Sequence, residues 1–185
     1  MKSDRIRWNE KYKTKSNPTD PSPILKKYYQ LTPGGRALDI AAGNGRHALF
    51  LADHGFTVDA VDISEKGLTI IPRRHPRLNR ICADLDFFDI PADRYSLIVN
   101  IRYLNRRLFP YIIEGLISGG ILIFETYLDN KENGEEGPLR RDHRLEPNEL
   151  LHAFLPLRIR YYREGAENRQ KHAPSVASLV GIKII

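Results

Sequence analysis

The 185-residue chain is 41% hydrophobic and 28% charged, a balance that supports one hydrophobic core and excludes wholesale disorder. Cys82 is the sole cysteine, and the six histidines show no HxxxH or HxH spacing, which excludes an intramolecular disulfide and a thiolate cluster and argues against a histidine metal site. The net charge of +6 gathers in residues 1–27, where eight Lys/Arg face three acids; no apolar run suits a signal peptide or a membrane span, so a cytoplasmic protein is expected.

Residues 4–13 predict a short helix with Trp8 and Tyr12 one turn apart on one face. The prolines of Asn17–Pro23 mark a connector. Ser22 then caps a helix that opens on Pro23 and carries Ile24, Leu25, Tyr28 and Leu31 as its apolar stripe. Thr32–Gly35 stops it. Arg36–Ala41 reads as a buried strand, broken by Gly43 and Gly45, and Arg46–Gly55 as a helix with Gly55 as its C-cap. Thr57–Asp62 is a second strand, and Ser64 caps a helix that Pro72 ends.

Asn79–Leu85 and Tyr95–Ile101 predict the third and fourth strands. Arg106–Ile117 is a helix, and Ser118–Gly120 turns the chain into a fifth strand, Ile121–Leu128. Strands alternating with helices argue for parallel pairing with right-handed crossovers. Beyond a helix at Asn148–Leu155, two strands follow, Leu157–Glu164 and Val176–Ile185. Too few residues separate them for a crossover helix, so an antiparallel hairpin at the sheet edge is expected.

The stretch Leu38–Ser64 carries the chemistry. Gly43 and Gly45 let the backbone turn tightly and approach a ligand. The helix that follows points free N–H groups at whatever sits there. Asp62 closes the second strand, where a carboxylate accepts hydrogen bonds from vicinal ribose hydroxyls; as a plain helix-capping residue before Ser64 it has a second reading. Two cofactors fit, a dinucleotide and S-adenosylmethionine, and Gly43–Ala48 even satisfies G-x-G-x-x-A. A dinucleotide domain continues with parallel units and needs a partner domain for its substrate. This chain instead offers Ser118–Gly120 and an edge hairpin.

That pattern, with LDIAAGNG, VDAVDIS, CADLDFF, YSLIVNIRYLNRRLF and SGGILIFETY, resembles the class I S-adenosylmethionine-dependent methyltransferases over almost the whole chain. RWNEKY before a Pro-rich link is similar to the small bacterial branch related to tellurite-resistance and thiopurine methyltransferases. The resemblance implies an α/β, Rossmann-like seven-stranded methyltransferase sheet, mostly parallel, with an antiparallel C-terminal hairpin and helices on both faces. It implies an N-terminal helical segment, 1–31, covering the active site of a methyltransferase domain, 32–185. It departs at Ala41, where the family has glycine; alanine is small, and only a slight adjustment of the loop is expected.

The resemblance also assigns the cofactor residues. Asp39, Ala41, Gly43 and Gly45 would shape the loop around the methionine moiety of S-adenosylmethionine. Asp62 and the following Ile63 would hold the ribose. Asp84 would receive the adenine amino group with Leu85 beside the ring, and Asn100 and Ile101 would approach the sulfonium. A surface acid beside Asp86 and Asp89 is the other reading of Asp84.

Methyl transfer is an in-line displacement from a good leaving group, so orientation and exclusion of water can supply most of the catalysis. No catalytic triad is needed, and none is present. Acceptor-side candidates follow strands four and five: Arg102, Tyr103 and Arg106, then Glu125, Tyr127, Arg141 and His143. Arg102, Tyr103 and Tyr127 are the expected catalytic group, the tyrosines offering a π-face to the sulfonium. Asn100–Tyr103 lacks the prolines of the Asn-Pro-Pro-Tyr signature, so a cradle for an exocyclic amine is not implied. The acceptor site would be completed by Trp8, Tyr12 and the loop 128–146, whose polar stretch Leu128–Pro138 suits a mobile lid or an ordinary surface loop.

The expected function is methyl transfer to a small-molecule acceptor, without metal. Three alternatives stand beside it: an RNA- or DNA-directed methyltransferase using the basic N-terminus, a non-catalytic S-adenosylmethionine-binding protein, and a dinucleotide-dependent oxidoreductase. The sequence leaves the oligomeric state open.

Overall fold

The computed structural model describes residues 2–14, 18–72, 75–129, 143–166 and 174–184. Seven strands form one sheet: β1 (Arg36–Ile40), β2 (Thr57–Asp62), β3 (Leu78–Cys82), β4 (Tyr95–Ile101), β5 (Leu116–Tyr127), β6 (Leu157–Ala166) and β7 (Ser175–Lys183). Their order is β3-β2-β1-β4-β5-β7-β6. The first five pair in parallel, and β7 runs antiparallel between β5 and β6. The expected α/β sheet with its C-terminal hairpin is therefore what folds. Strand order reverses between β1 and β4, and ligands of such sheets bind outside the carboxyl ends at that switch point.

Among the described residues six α-helices accompany the sheet: α1 (Lys2–Thr14), α2 (Pro23–Tyr28), α3 (Arg46–Asp53), α4 (Glu65–Ile70), α5 (Leu108–Gly115) and α6 (Glu149–Ala153). Because successive strand residues face opposite sides, β4 and β5 feed two cores. Ile98, Leu122 and Phe124 pack with Leu108 and Ile112 of α5 and Leu150 of α6. Leu97, Val99, Ile121 and Ile123 pack with α2, α3 and Leu68 of α4. Every residue of β4 is buried, which is why that strand reads as one continuous apolar run. Buried Asp59 of β2 accepts from Arg36 at 2.8 and 2.9 Å, from Asn79 at 2.8 Å and from Tyr95 at 3.1 Å, so one carboxylate ties four strands together.

Three local expectations differ. Ser118–Gly120 does not turn the chain before a strand; it lies within β5, where pairing with β4 slips between Tyr95 and Leu97. Gly119 takes φ +76°, and a Cβ on Gly120 would meet the carbonyls of Ile117 and Tyr95 within 3 Å, so the glycines make an irregularity inside the strand. β3 stops at Cys82, short of Asp84. Ser22 precedes α2 as expected, but its buried Oγ makes no capping hydrogen bond.

Candidate functional site

The chain leaves β1 through three left-handed residues: Ala41 at φ +55°, Gly43 at +57° and Gly45 at +76°. Together they wrap the backbone around Asp62, at the end of β2. The Gly43 amide donates to Asp62 Oδ2 at 2.8 Å, and the Ser64 amide donates to Oδ1 at 2.7 Å. The loop is thus pinned to the start of α4, whose first turn is capped by Ser64 Oγ, accepting from the Gly67 amide at 3.0 Å.

Ser64 also holds α1. Its hydroxyl donates to Asn9 Oδ1 at 2.8 Å, and the same oxygen accepts from the Lys66 amide at 3.2 Å. This lays Tyr12 over the loop, with its hydroxyl where a Cβ on Gly43 would stand and its ring 3.0 Å from one on Gly67. Side chains at either position would push α1 away.

Ala41, where the resemblance has glycine, is left-handed. It adopts the conformation that glycine takes freely and that costs an L-residue about 1–2 kcal/mol. Ala41→Gly relieves that strain but adds freedom to the unfolded chain. A net stabilisation of about 0.5–1 kcal/mol is expected, read as a higher urea midpoint at unchanged slope.

Above the loop lies a cavity of about 1140 Å³. Single-ligand pockets run to roughly 1,000 Å³, so there is room for two reactants. Ala41, Asp62, Ile63, Asp84, Leu85, Ile101, Arg102, Tyr103 and Tyr127 line it. Asp39, Gly43, Gly45 and Asn100 lie behind the wall. Asn100 is buried, and its Nδ2 donates to the Tyr103 carbonyl at 2.7 Å, shaping the exit from β4. Arg106 and His143 also reach the cavity. Glu125 stands behind Arg102, and Arg141 lies outside the described residues, as does most of the expected lid, 130–142.

Sequence reasoning missed Asn44, Arg46, His47, Asn105 and Arg107, all in the wall. The first three stand between or just after the glycines, where attention to conformation hid the side chains. α1 adds Arg7, Trp8, Lys11 and Tyr12.

Arg102 is a second strained residue, at φ +64°, a conformation costing an order of 1–3 kcal/mol that persists where the surroundings impose it. Its amide donates to the Glu125 carbonyl at 2.7 Å, and its guanidinium lies over the Tyr127 ring at 4.9 Å. Burial pushes the Tyr103 phenol up to about 12, so it stays protonated and can donate but not act as a base at neutral pH.

Asp39 and His47 form a buried pair beneath the loop, 3.9 Å apart. No donor reaches either Asp39 oxygen in good geometry, and His47 Nε2 is likewise without a partner. Burial pushes the Asp39 carboxyl up to about 8, reinforced by Asp62 and only partly opposed by the Ala48 amide and Arg46. Burial and then Arg46 push His47 down to about 3. A buried acid awaiting a partner fits a cationic ligand group at the loop, and the Asp62 and Asp84 carboxylates with the apolar Leu85 fit an adenosyl group. No metal-binding cluster occurs among the described residues, and no helix among them is long and apolar enough to cross a membrane.

Residues 37–115 match a family model described as a methyltransferase domain. The demethylmenaquinone methyltransferase of Renibacterium salmoninarum is 37% identical over 76 residues, 40% of this chain and 32% of that protein; the chain spans about a third of the length of that curated relative. TehB of Haemophilus influenzae superposes with a TM-score of 0.72 at 18% identity, covering 97% of this chain and 66% of its own. The [4+2]-cyclase SpnF superposes at 0.71 with 17% identity, covering 88% and 78%. A fold shared with a cyclase does not by itself specify methyl transfer.

Proposed function

We propose that the chain is a class I S-adenosylmethionine-dependent methyltransferase, a reading supported by the methyltransferase-domain match over residues 37–115 and by the fold, and that it transfers a methyl group from S-adenosylmethionine to a small-molecule acceptor. The observation that carries the reading is a single cavity, large enough for two reactants, bounded by the left-handed loop, Asp62 and Asp84. Asp62 holds the ribose, Asp84 and Leu85 the adenine, and the 41–45 loop the methionine moiety, with Asp39 behind it. The bound cofactor supplies an electrophilic methyl group on a sulfonium.

The protein's own residues orient and enclose. Asn100 fixes the β4 exit so that Ile101, Arg102 and Tyr103 face the reacting centre. Tyr103 keeps its proton and donates to the acceptor. The segment 1–31 covers the domain 32–185 through α1. Within α1, Arg7 pairs with Asp4 at 2.9 Å and Lys13 with Glu10 at 2.7 Å, so its basic charge is partly answered in place. That, and the position of Arg7, Trp8 and Lys11 on the cavity wall, favours a small acceptor over a nucleic acid. A cytoplasmic location goes with this reading.

Thermal unfolding with S-adenosylmethionine, S-adenosylhomocysteine or NAD tests it. A ligand at 100 times its Kd stabilises by about 2.7 kcal/mol, a Tm rise of roughly 5–10 °C for a domain of this size. The two sulfur compounds are expected to give that rise and NAD none; the opposite pattern supports an oxidoreductase. Transfer of labelled methyl to a small-molecule panel then separates an enzyme from a binding protein.

A further inference from the structure

Resting on the methyltransferase reading, we propose that His47 recognises the ammonium group of the cofactor's methionine moiety, accepting a hydrogen bond at Nε2 with Asp39 behind it. His47 is the second residue of α3, directly after the left-handed loop. Its side chain is more than nine-tenths buried, and its Nε2 has no hydrogen-bond partner. A buried polar atom left unpaired destabilises the fold that holds it, so its presence in a cavity wall points to a ligand.

The pair is divided by position. His47 lines the cavity, whereas Asp39 lies behind the wall. His47 Nδ1 stands 3.9 Å from Asp39 Oδ1, too far for a hydrogen bond and close enough for charges to act. Nε2 is then the polar atom of the pair left to meet a ligand.

The groups that set the charge here are Asp39, Asp62, Arg46 and the Tyr12 phenol. Arg46 donates to the Asp20 carbonyl at 3.1 Å. Burial, then Asp62 and Asp39, push the Tyr12 phenol up, so it stays neutral. Burial and Arg46 push His47 down to about 3, so it too is neutral and does not repel a cation. A neutral imidazole carries one N–H and one lone pair. With the N–H on Nδ1, towards Asp39, the lone pair is on Nε2. An ammonium offers donors only and suits that lone pair. Being the stronger base, the ligand's amine keeps its proton. A carboxylate in the same place would meet the charges of Asp39 and Asp62.

The test uses the whole protein with its His47→Leu and His47→Gln variants. Calorimetry compares S-adenosylhomocysteine with three analogues. The 5′-(3-aminopropylthio) analogue keeps the ammonium alone, the 5′-(3-carboxypropylthio) analogue keeps the carboxylate alone, and 5′-methylthioadenosine has neither. The wild type is expected to prefer the amine over the acid by about tenfold or more. His47→Leu should remove that preference, weaken S-adenosylhomocysteine by a similar factor and leave 5′-methylthioadenosine unchanged, which also shows that the pocket is folded. His47→Gln, whose amide oxygen can accept, should fall between. Nitrogen-15 shifts of the wild-type ring, identified by their loss in the variants, should show the Nδ1–H tautomer in the S-adenosylhomocysteine complex. A wild type without the amine preference, a leucine variant that keeps it, an equal loss for 5′-methylthioadenosine, or an Nε2–H tautomer in the complex overturns the proposal. Wild-type protein that binds none of the four compounds overturns the methyltransferase reading itself.

Discussion

Asp62→Ala is expected to weaken S-adenosylhomocysteine binding by 100-fold or more in calorimetry, with the chain still folded. Hydrogen bonds to a charged group contribute roughly 1.5–3 kcal/mol each, and a carboxylate gripping two ribose hydroxyls makes two. The substitution also frees the Gly43 and Ser64 amides, which now donate to Asp62 at 2.8 and 2.7 Å, so the loop loses its link to α4. Asp62→Asn separates the contributions. Its single carbonyl oxygen can keep one amide, while its NH₂ opposes the other donor. Asparagine should therefore lose less stability than alanine and still bind poorly. Undiminished affinity in both variants would leave Asp62 a cap of the loop and nothing more.

The sheet and the loop were legible for one reason: their signals are local. Strands buried on both faces read as apolar runs, and the loop after β1 shows glycine at two of its three left-handed positions, Gly43 and Gly45, with Ala41 the third. What depends on distant partners was not legible. Asn9 gives no sign that it will meet Ser64, 55 residues on, yet that contact lays α1 across the cavity. Ser118–Gly120 has the composition of a turn, and only the pairing of Leu116 with Tyr95 before it and of Ile121 with Leu97 after it makes it part of β5. The donation from the Asn100 amide to the Tyr103 carbonyl depends on how the chain folds back after β4, which the sequence does not show. His47 stood beside the glycines, but its meaning comes from Asp39 on another element.

That pair sets the second large effect, on stability against pH. The Asp39 carboxyl is pushed up to about 8 in the fold, against about 3.9 in an unfolded chain. The native state therefore holds a proton that the unfolded state gives up, and the advantage present at low pH is lost as pH rises towards 8. His47, pushed down to about 3 from about 6.5, acts oppositely: stability grows as pH rises from 3 to 6.5. Between pH 4 and 6.5 the two nearly cancel. Between 6.5 and 8 Asp39 acts alone, and stability should fall by about 1.4 kcal/mol per unit, roughly 2 kcal/mol in all. Asp62, also pushed up by burial and held back by the Ser64 and Gly43 amides, contributes in the same sense as Asp39.

Asp39→Asn removes the carboxyl and keeps its shape. Urea unfolding of that variant should show stability rising to pH 6.5 through His47 and then level, so that at pH 8.5 it exceeds the wild type by several kcal/mol. S-adenosylhomocysteine binding should move the other way, because an amide cannot carry the charge that the ligand's ammonium draws out of Asp39. In the wild type that charge must be created, so affinity climbs with pH until about 8 and then levels. The residues facing Asp39, namely Asp62, Arg46, His47 and the Ala48 amide, are unchanged in the variant. A wild-type slope that survives Asp39→Asn would place the titration on one of them. A variant both more stable and poorer at binding would show a buried acid that costs the empty fold stability because the filled one uses it.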